Sequence, residues 1–173
     1  GGGAGNDALT ASGSYTAASI TIDGGADNDI LVTQNGFKAS GPSGNSIAVT
    51  LGTGNDTLTA SGSYTAASVT IDGGLDDDQV TTQSTLKLQA STRLDLLLGE
   101  GADTLTLSGT LGAPTVVIDG GAGNDSVVTQ DTMKLSAGTQ ITLLLGAGND
   151  TLTASGSYTA PSISIDGGLG DDQ

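Results

Sequence analysis

Eight aspartates, Asp7, Asp29, Asp56, Asp78, Asp103, Asp125, Asp150 and Asp172, recur at alternating separations of 22 and 25 to 27 residues. A second set, Asp23, Asp72, Asp119 and Asp166, always stands in the text Ile-Asp-Gly-Gly. Carboxylates repeated at fixed intervals are suited to holding hard cations through oxygen. The chain has no His and no Cys. Zinc and copper sites, His-based nucleophile triads and thiol chemistry are therefore not expected. Paired carboxylates can cleave glycosides, but that chemistry needs a single irregular site with aromatic platforms, and these acids are periodic. The pattern predicts repeated cation sites and no enzyme.

Electrostatics points the same way. The sequence holds 19 acidic residues against 4 basic ones, a formal net charge of -15. Such a chain repels nucleic acid phosphates and anionic membrane surfaces, and it attracts cations. No apolar run is long enough to cross a bilayer, so membrane insertion is not expected. The lack of cysteine rules out a disulfide framework and fits a bacterial secreted repeat protein.

The elements that position the aspartates follow from the text around them. Asn6 to Gly25, Asn55 to Gly74 and Asn149 to Gly168 are nearly the same sequence, with a diverged copy from Ala102 to Gly121. The period is 49, 47 and 47 residues. This predicts one solenoid segment over 1–173, built of double-coil repeats at about 1–49, 50–96, 97–143 and a partial 144–173. The opening Gly1-Gly2-Gly3 and an end inside a repeat suggest a piece of something longer.

Within each unit, glycine stands four residues before every one of the eight aspartates, from Gly3 to Gly168, as needed where the backbone takes positive φ. An aliphatic stands two residues after the aspartate, as Leu9, Leu31, Leu58, Val80, Leu105, Val127 and Leu152. It opens an alternation such as Thr57-Leu58-Thr59-Ala60, and a second one, Ser68-Val69-Thr70-Ile71, leads to the next turn. A unit of 22 to 27 residues made of short strands and one Gly-rich turn cannot bury its own apolar side. Stacked coils can. The expected fold is all-β: a parallel β-solenoid with coils of about 22–27 residues, roughly seven of them, and no helix. Coils about 4.8 Å apart bring equivalent carboxylates together, and two such charges repel by about 3 to 4 kcal/mol at an effective dielectric near 20. Ca²⁺, which tolerates irregular carboxylate and carbonyl geometry better than Mg²⁺ does, reverses that sign.

The best turns read Gly2-Gly3-Ala4-Gly5-Asn6-Asp7-Ala8-Leu9-Thr10 and Gly120-Gly121-Ala122-Gly123-Asn124-Asp125-Ser126-Val127-Val128. This G-G-x-G-x-D-x-U-x text resembles the calcium-binding nonapeptide of RTX (repeats-in-toxin) proteins, the parallel β-roll modules of bacterial secreted toxins, enzymes and adhesins. The resemblance implies calcium held between stacked turns by the eight column aspartates and turn carbonyls. RTX repeats usually place two nonapeptides in each coil, whereas one motif per coil here implies a single row of sites along one edge. Leu51, Leu98 and Leu145 replace the first glycine in alternate turns, Asp27 and Asp76 replace the third, and Ala102 stands where Asn is usual. The resemblance is weakest at the Asp29, Asp78 and Asp103 turns. Asp23, Asp72, Asp119 and Asp166 either add ligands or cap their own turns.

Lys38, Lys87 and Lys134 read as one outward column, and Tyr15, Tyr64 and Tyr158, with Leu111 in the third unit, as a packed corner. Repetition favours a repeated role. The expectation is an extracellular or cell-surface scaffold, stalk, surface-layer, filament or adhesin segment, partnered by calcium and by neighbouring repeats or copies stacked end to end. A calcium-dependent ice- or polysaccharide-binding solenoid, drawing on outward Thr57, Thr59, Thr104, Thr106, Thr151 and Thr153, is the alternative. So is the calcium-binding tail of a secreted enzyme.

Overall fold

The computed structural model describes residues 1–40, 44–130, 134–135, 137–155, 158 and 160–173. It is an all-β solenoid of about seven turns in which every strand pairing is parallel. The described residues contain no helix. One stack of strands follows the Gly-rich turn and comprises Ala8–Ala17, Ile30–Ala39, Thr57–Ala60, Gln79–Thr82, Thr104–Leu107, Ser126–Thr129 and Thr151–Ala154. A second stack leads into the next turn. Ser19–Ala26, Ser46–Thr53, Thr115–Ala122, Gln140–Leu144 and Ser162–Asp166 lie in it, as do the later parts of Ser63–Leu75 and Lys87–Glu100.

Alternation along each strand becomes columns across the coils. Leu9, Leu31, Leu58, Val80, Leu105, Val127 and Leu152 are register partners in turn. So are Ile20, Ile47, Val69, Leu94, Val116, Ile141 and Ile163, and beside them Ile22, Val49, Ile71, Leu96, Ile118, Leu143 and Ile165. The interior members of these columns are buried, and each contributes about 1.5–3 kcal/mol by leaving water. Small aliphatics in register thus supply the core that a chain with 2% aromatics cannot build otherwise.

The corner opposite the turn is less regular. Tyr15, Phe37 and Tyr64 are register partners; the Tyr15 and Phe37 rings stack with centroids 5.2 Å apart, and Tyr64 packs on Phe37 at 5.0 Å, tilted by 33°. The column continues as Leu88, Leu111 and Leu135. The Tyr64 hydroxyl bonds the buried Thr33 hydroxyl, and Tyr158 bonds Thr129 in the same way. Where Leu111 stands instead, Thr82 Oγ1 donates to the Ser108 carbonyl at 2.9 Å and accepts the Ser108 N–H at 2.8 Å.

The lysines do not form the expected column. Lys87 and Lys134 both pair with Thr110, but Lys38 pairs with Thr65, two residues further along than Ser63, the partner of Lys87. The cause is an extra turn, closed by Leu86 N–H donating to Gln83 O at 2.8 Å. It shifts the register from Ala60↔Thr82 to Ser63↔Lys87.

Candidate metal centre

The second glycine of each turn has positive φ, from 91° at Gly168 to 121° at Gly25 and Gly52. A Cβ on Gly52 or Gly74 would lie 2.1 or 2.0 Å from the preceding coil's glycine carbonyl oxygen. Stacking at this density needs glycine on both counts. Asp27 and Asp76, which replace the third glycine, take left-handed conformations with φ of 72° and 74°, as Asp can. Their Oδ2 atoms accept the Gly5 and Gly54 N–H groups at 3.0 and 3.1 Å. These substitutions therefore belong to the turn rather than breaking it.

The column aspartates form one continuous ladder. Asp7 N–H donates to Asp29 Oδ1 at 2.7 Å, Asp29 to Asp56 at 2.6 Å, Asp56 to Asp78 at 2.9 Å and Asp78 to Asp103 at 2.7 Å. The series continues through Asp125 and Asp150 to Asp172. Asp29, Asp56, Asp78, Asp103, Asp125 and Asp150 are buried, none more than 4% exposed. Only one oxygen of each is satisfied: Oδ2 of these six and of Asp7 is shut off from water and has no hydrogen-bond partner. A buried carboxylate oxygen without a partner is costly, so the row calls for a cation or for protons.

The titration of Asp56, Asp78, Asp103 and Asp125 reflects this. Burial pushes the Asp78 carboxyl up to about 7, with Asp103, Asp56 and Asp76 adding repulsion against the opposing hydrogen bond from Asp56 N–H. Burial likewise raises Asp125 to about 6, and it raises Asp56 and Asp103.

Carbonyl oxygens converge on the unpartnered atoms. A Cβ built on Gly24, the first glycine of its turn, would lie 2.3 Å from the Leu51 carbonyl oxygen and 2.9 Å from Asp29 Oδ2. The corresponding distances are 2.2 and 2.7 Å at Gly2, to Gly24 O and Asp7 Oδ2, and 2.2 and 2.8 Å at Gly73, to Leu98 O and Asp78 Oδ2. At Gly120 they are 2.1 and 2.7 Å, to Leu145 O and Asp125 Oδ2. Each cradle joins a carboxylate oxygen to a carbonyl oxygen of the next coil. Both are oxygen donors, the kind Ca²⁺ takes. Among the described residues no three acidic side chains come close enough to hold a metal by themselves. Any cation here depends on one carboxylate per coil together with backbone carbonyls.

The second acidic set lies elsewhere. Asp23, Asp72, Asp119 and Asp166 share an outward column in which they alternate with Thr50, Leu97 and Leu144. They are two coils apart and do not join the buried row in a cluster. Asp166 Oδ1 accepts the Gly168 N–H at 3.1 Å, a cap on its own turn. Asp172, in the last turn, is exposed and accepts the Asp150 N–H.

A second ladder, of asparagines, runs beside the first. Asn6 Oδ1 accepts the Asn28 N–H at 3.1 Å, Asn28 the Asn55 N–H at 2.9 Å, and Asn124 the Asn149 N–H at 2.7 Å. The recurrence of Asn just before the column Asp was the available signal. The carbonyl ligands had none, because a backbone oxygen leaves no mark in residue type.

Residues 21–37, 116–130 and 142–157 match the RTX calcium-binding nonapeptide repeat (4 copies). No curated protein and no solved structure matches the chain. Parallel coils, Gly-rich turns and a carboxylate row define a calcium-binding β-solenoid. Together with the matched repeats, they make this chain an RTX-like β-roll.

Proposed function

We propose that the chain serves as an extracellular structural module, a stalk, scaffold or adhesin segment that calcium stiffens, and that it catalyses no reaction. The row of buried aspartates, each with an unpartnered Oδ2, carries this reading. At the turns it occupies, bound calcium would supply the positive charge these oxygens lack. The chain's own part is to hold Oδ1 in the ladder and to aim Oδ2 and the turn carbonyls at one place. RTX repeats occur in bacterial secreted proteins, which supports extracellular placement. The last coil leaves Ile163 and Ile165 about half exposed beside Leu143, Leu152 and Tyr158, an apolar surface suited to a further coil or a second copy.

The test is a calcium titration followed by far-ultraviolet circular dichroism, with magnesium as control. We expect β-structure to form or its melting to rise in calcium alone. Full β-signal in chelator, with no calcium bound and no shift in melting, would sink the reading.

One observation favours a surface-binding role as well. Thr10, Val32, Thr59, Thr81, Thr106, Val128 and Thr153 form an outward column that is β-branched throughout. Such a hydroxyl- and methyl-bearing strip fits an ordered surface such as ice. Partitioning of the calcium-loaded protein into slowly growing ice tests it, and exclusion from the ice rejects it.

A further inference from the structure

The inner column at the first turn position runs Gly2, Gly24, Leu51, Gly73, Leu98, Gly120, Leu145, Gly167. From Gly24 onward glycine and leucine alternate strictly. At Gly2, Gly24, Gly73 and Gly120 the volume that a side chain would fill is bounded by a carboxylate oxygen with no partner and a carbonyl oxygen of the next coil. At Leu51, Leu98 and Leu145 a real side chain starts from the same backbone position, and those leucines are 0, 1 and 3% exposed.

We infer that calcium loads only the glycine-first turns that meet a carbonyl oxygen of a following coil, at Asp7, Asp29, Asp78 and Asp125, which leaves out the Gly167 turn, where only Asp172 is met, and that Leu51, Leu98 and Leu145 plug the turns of Asp56, Asp103 and Asp150. The inference rests on the calcium reading above and gives it a spacing: loaded and plugged turns alternate along the rod beyond the second coil. The plugging leucine is also a donor. Leu51, Leu98 and Leu145 turn their carbonyl oxygens back toward the cradles at Gly24, Gly73 and Gly120. One residue therefore closes its own turn and completes the neighbouring one. The assignment reverses the weighting that residue types suggest. Asp29 and Asp78, whose turns depart from the motif at Asp27 and Asp76, keep their cradles. Asp150 lies in a segment that matches the calcium-binding repeat and loses its cradle to Leu145.

The experiment is the calcium stoichiometry of the whole chain, by equilibrium dialysis and elemental analysis, for wild type, Asp125→Asn and Asp150→Asn. Both aspartates lie in matched segments, and Asn keeps the Oδ1 acceptor of the ladder. We expect about four ions in wild type, a loss of one in Asp125→Asn and no loss in Asp150→Asn. Leu145→Gly is expected to gain one. Seven ions in wild type, or equal losses in the two Asn variants, overturns the inference while leaving calcium binding intact. No ion bound to wild type overturns the calcium reading itself. Should a variant fail to fold by circular dichroism, the wild-type count of about four against seven still decides.

Discussion

The turn edge and the opposite corner of each coil sit at the same strand spacing, yet they tolerate very different sequences. At the edge, glycine recurs in one column through all eight turns, from Gly3 to Gly168. At the corner, Tyr15, Phe37, Tyr64, Leu88, Leu111 and Leu135 share one column, and the coil of Asp78 takes an extra turn there between Gln83 and Leu86. At the edge, backbone packs on backbone at this glycine in every turn from Gly25 onward; at the corner it does so only at Gly62 and Gly109, against the Asn35 and Leu86 carbonyls, and side chain packs on side chain around them. A carbonyl oxygen 2.0 Å from where a Cβ would stand cannot yield, because its own strand is hydrogen-bonded on both sides. A corner side chain can be exchanged for another of similar volume, with the neighbouring Thr and Ser regrouping their hydrogen bonds.

Substitutions of glycine test this comparison most sharply. Gly74→Ala, with φ of 113° and a Cβ 2.0 Å from Gly52 O, is expected to cost upwards of about 3 kcal/mol and to abolish the cooperative transition in urea. Gly36→Ala, at the corner, places its Cβ 3.7 Å from Ser14 Oγ and is expected to change stability by less than about 1 kcal/mol. Equal effects would remove the distinction. Next in size is Tyr64→Ala, expected to lose about 3–5 kcal/mol by emptying the buried corner. Tyr64→Phe is expected to lose only about 1 kcal/mol with the hydroxyl that bonds Thr33, read from the same urea midpoints.

Smaller and opposite in sign is the effect of charge at the edge. The Asp78 carboxyl is raised to about 7 and Asp125 to about 6, both mainly by burial. In chelator the folded chain therefore binds more protons than the unfolded chain between about pH 4 and pH 7. Stability present at the acid end is lost as pH rises through the folded values. Melting in chelator should fall over that window, and saturating calcium should flatten the slope. Asp78→Asn should raise melting in chelator at neutral pH by removing a buried charge, and lower it relative to wild type in calcium. The smallest change is expected from Asn124→Ala, about 0.5–1 kcal/mol, since it removes only the acceptor for Asn149 N–H. The chain already carries Ala102 at that position in another turn.

Much of this was legible in the residues. The glycine and aliphatic columns give the turns, the inward positions and the parallel stack directly, because each side chain reports its environment through its type. Side-chain destinations were less legible. Aspartate reads as a ligand or as a solvated charge, and nothing in its identity says that one oxygen is spent on a neighbour's N–H while the other is buried without a partner. Leu51, Leu98 and Leu145 read as lapses of a motif, although their burial makes them part of the core. Asp27 and Asp76 read as lapses too, although Asp accepts the left-handed backbone that glycine supplies elsewhere. Lys38 was misplaced because counting from the turn ignores the two residues added before Lys87 at the corner.

The two ladders of the edge run in opposite senses. The column aspartate of each coil donates its N–H forward to the next coil, whereas the asparagine beside it receives an N–H from that coil. Each coil therefore has a leading side and a trailing side of different chemical character, as a strip of hook-and-loop tape has. A second rod continues both ladders only when its trailing side meets a leading side. That is a heterologous join, and it repeats without closing. Any lengthening of such a rod, whether by more coils in one chain or by more chains, would be vectorial and would leave its two ends unlike.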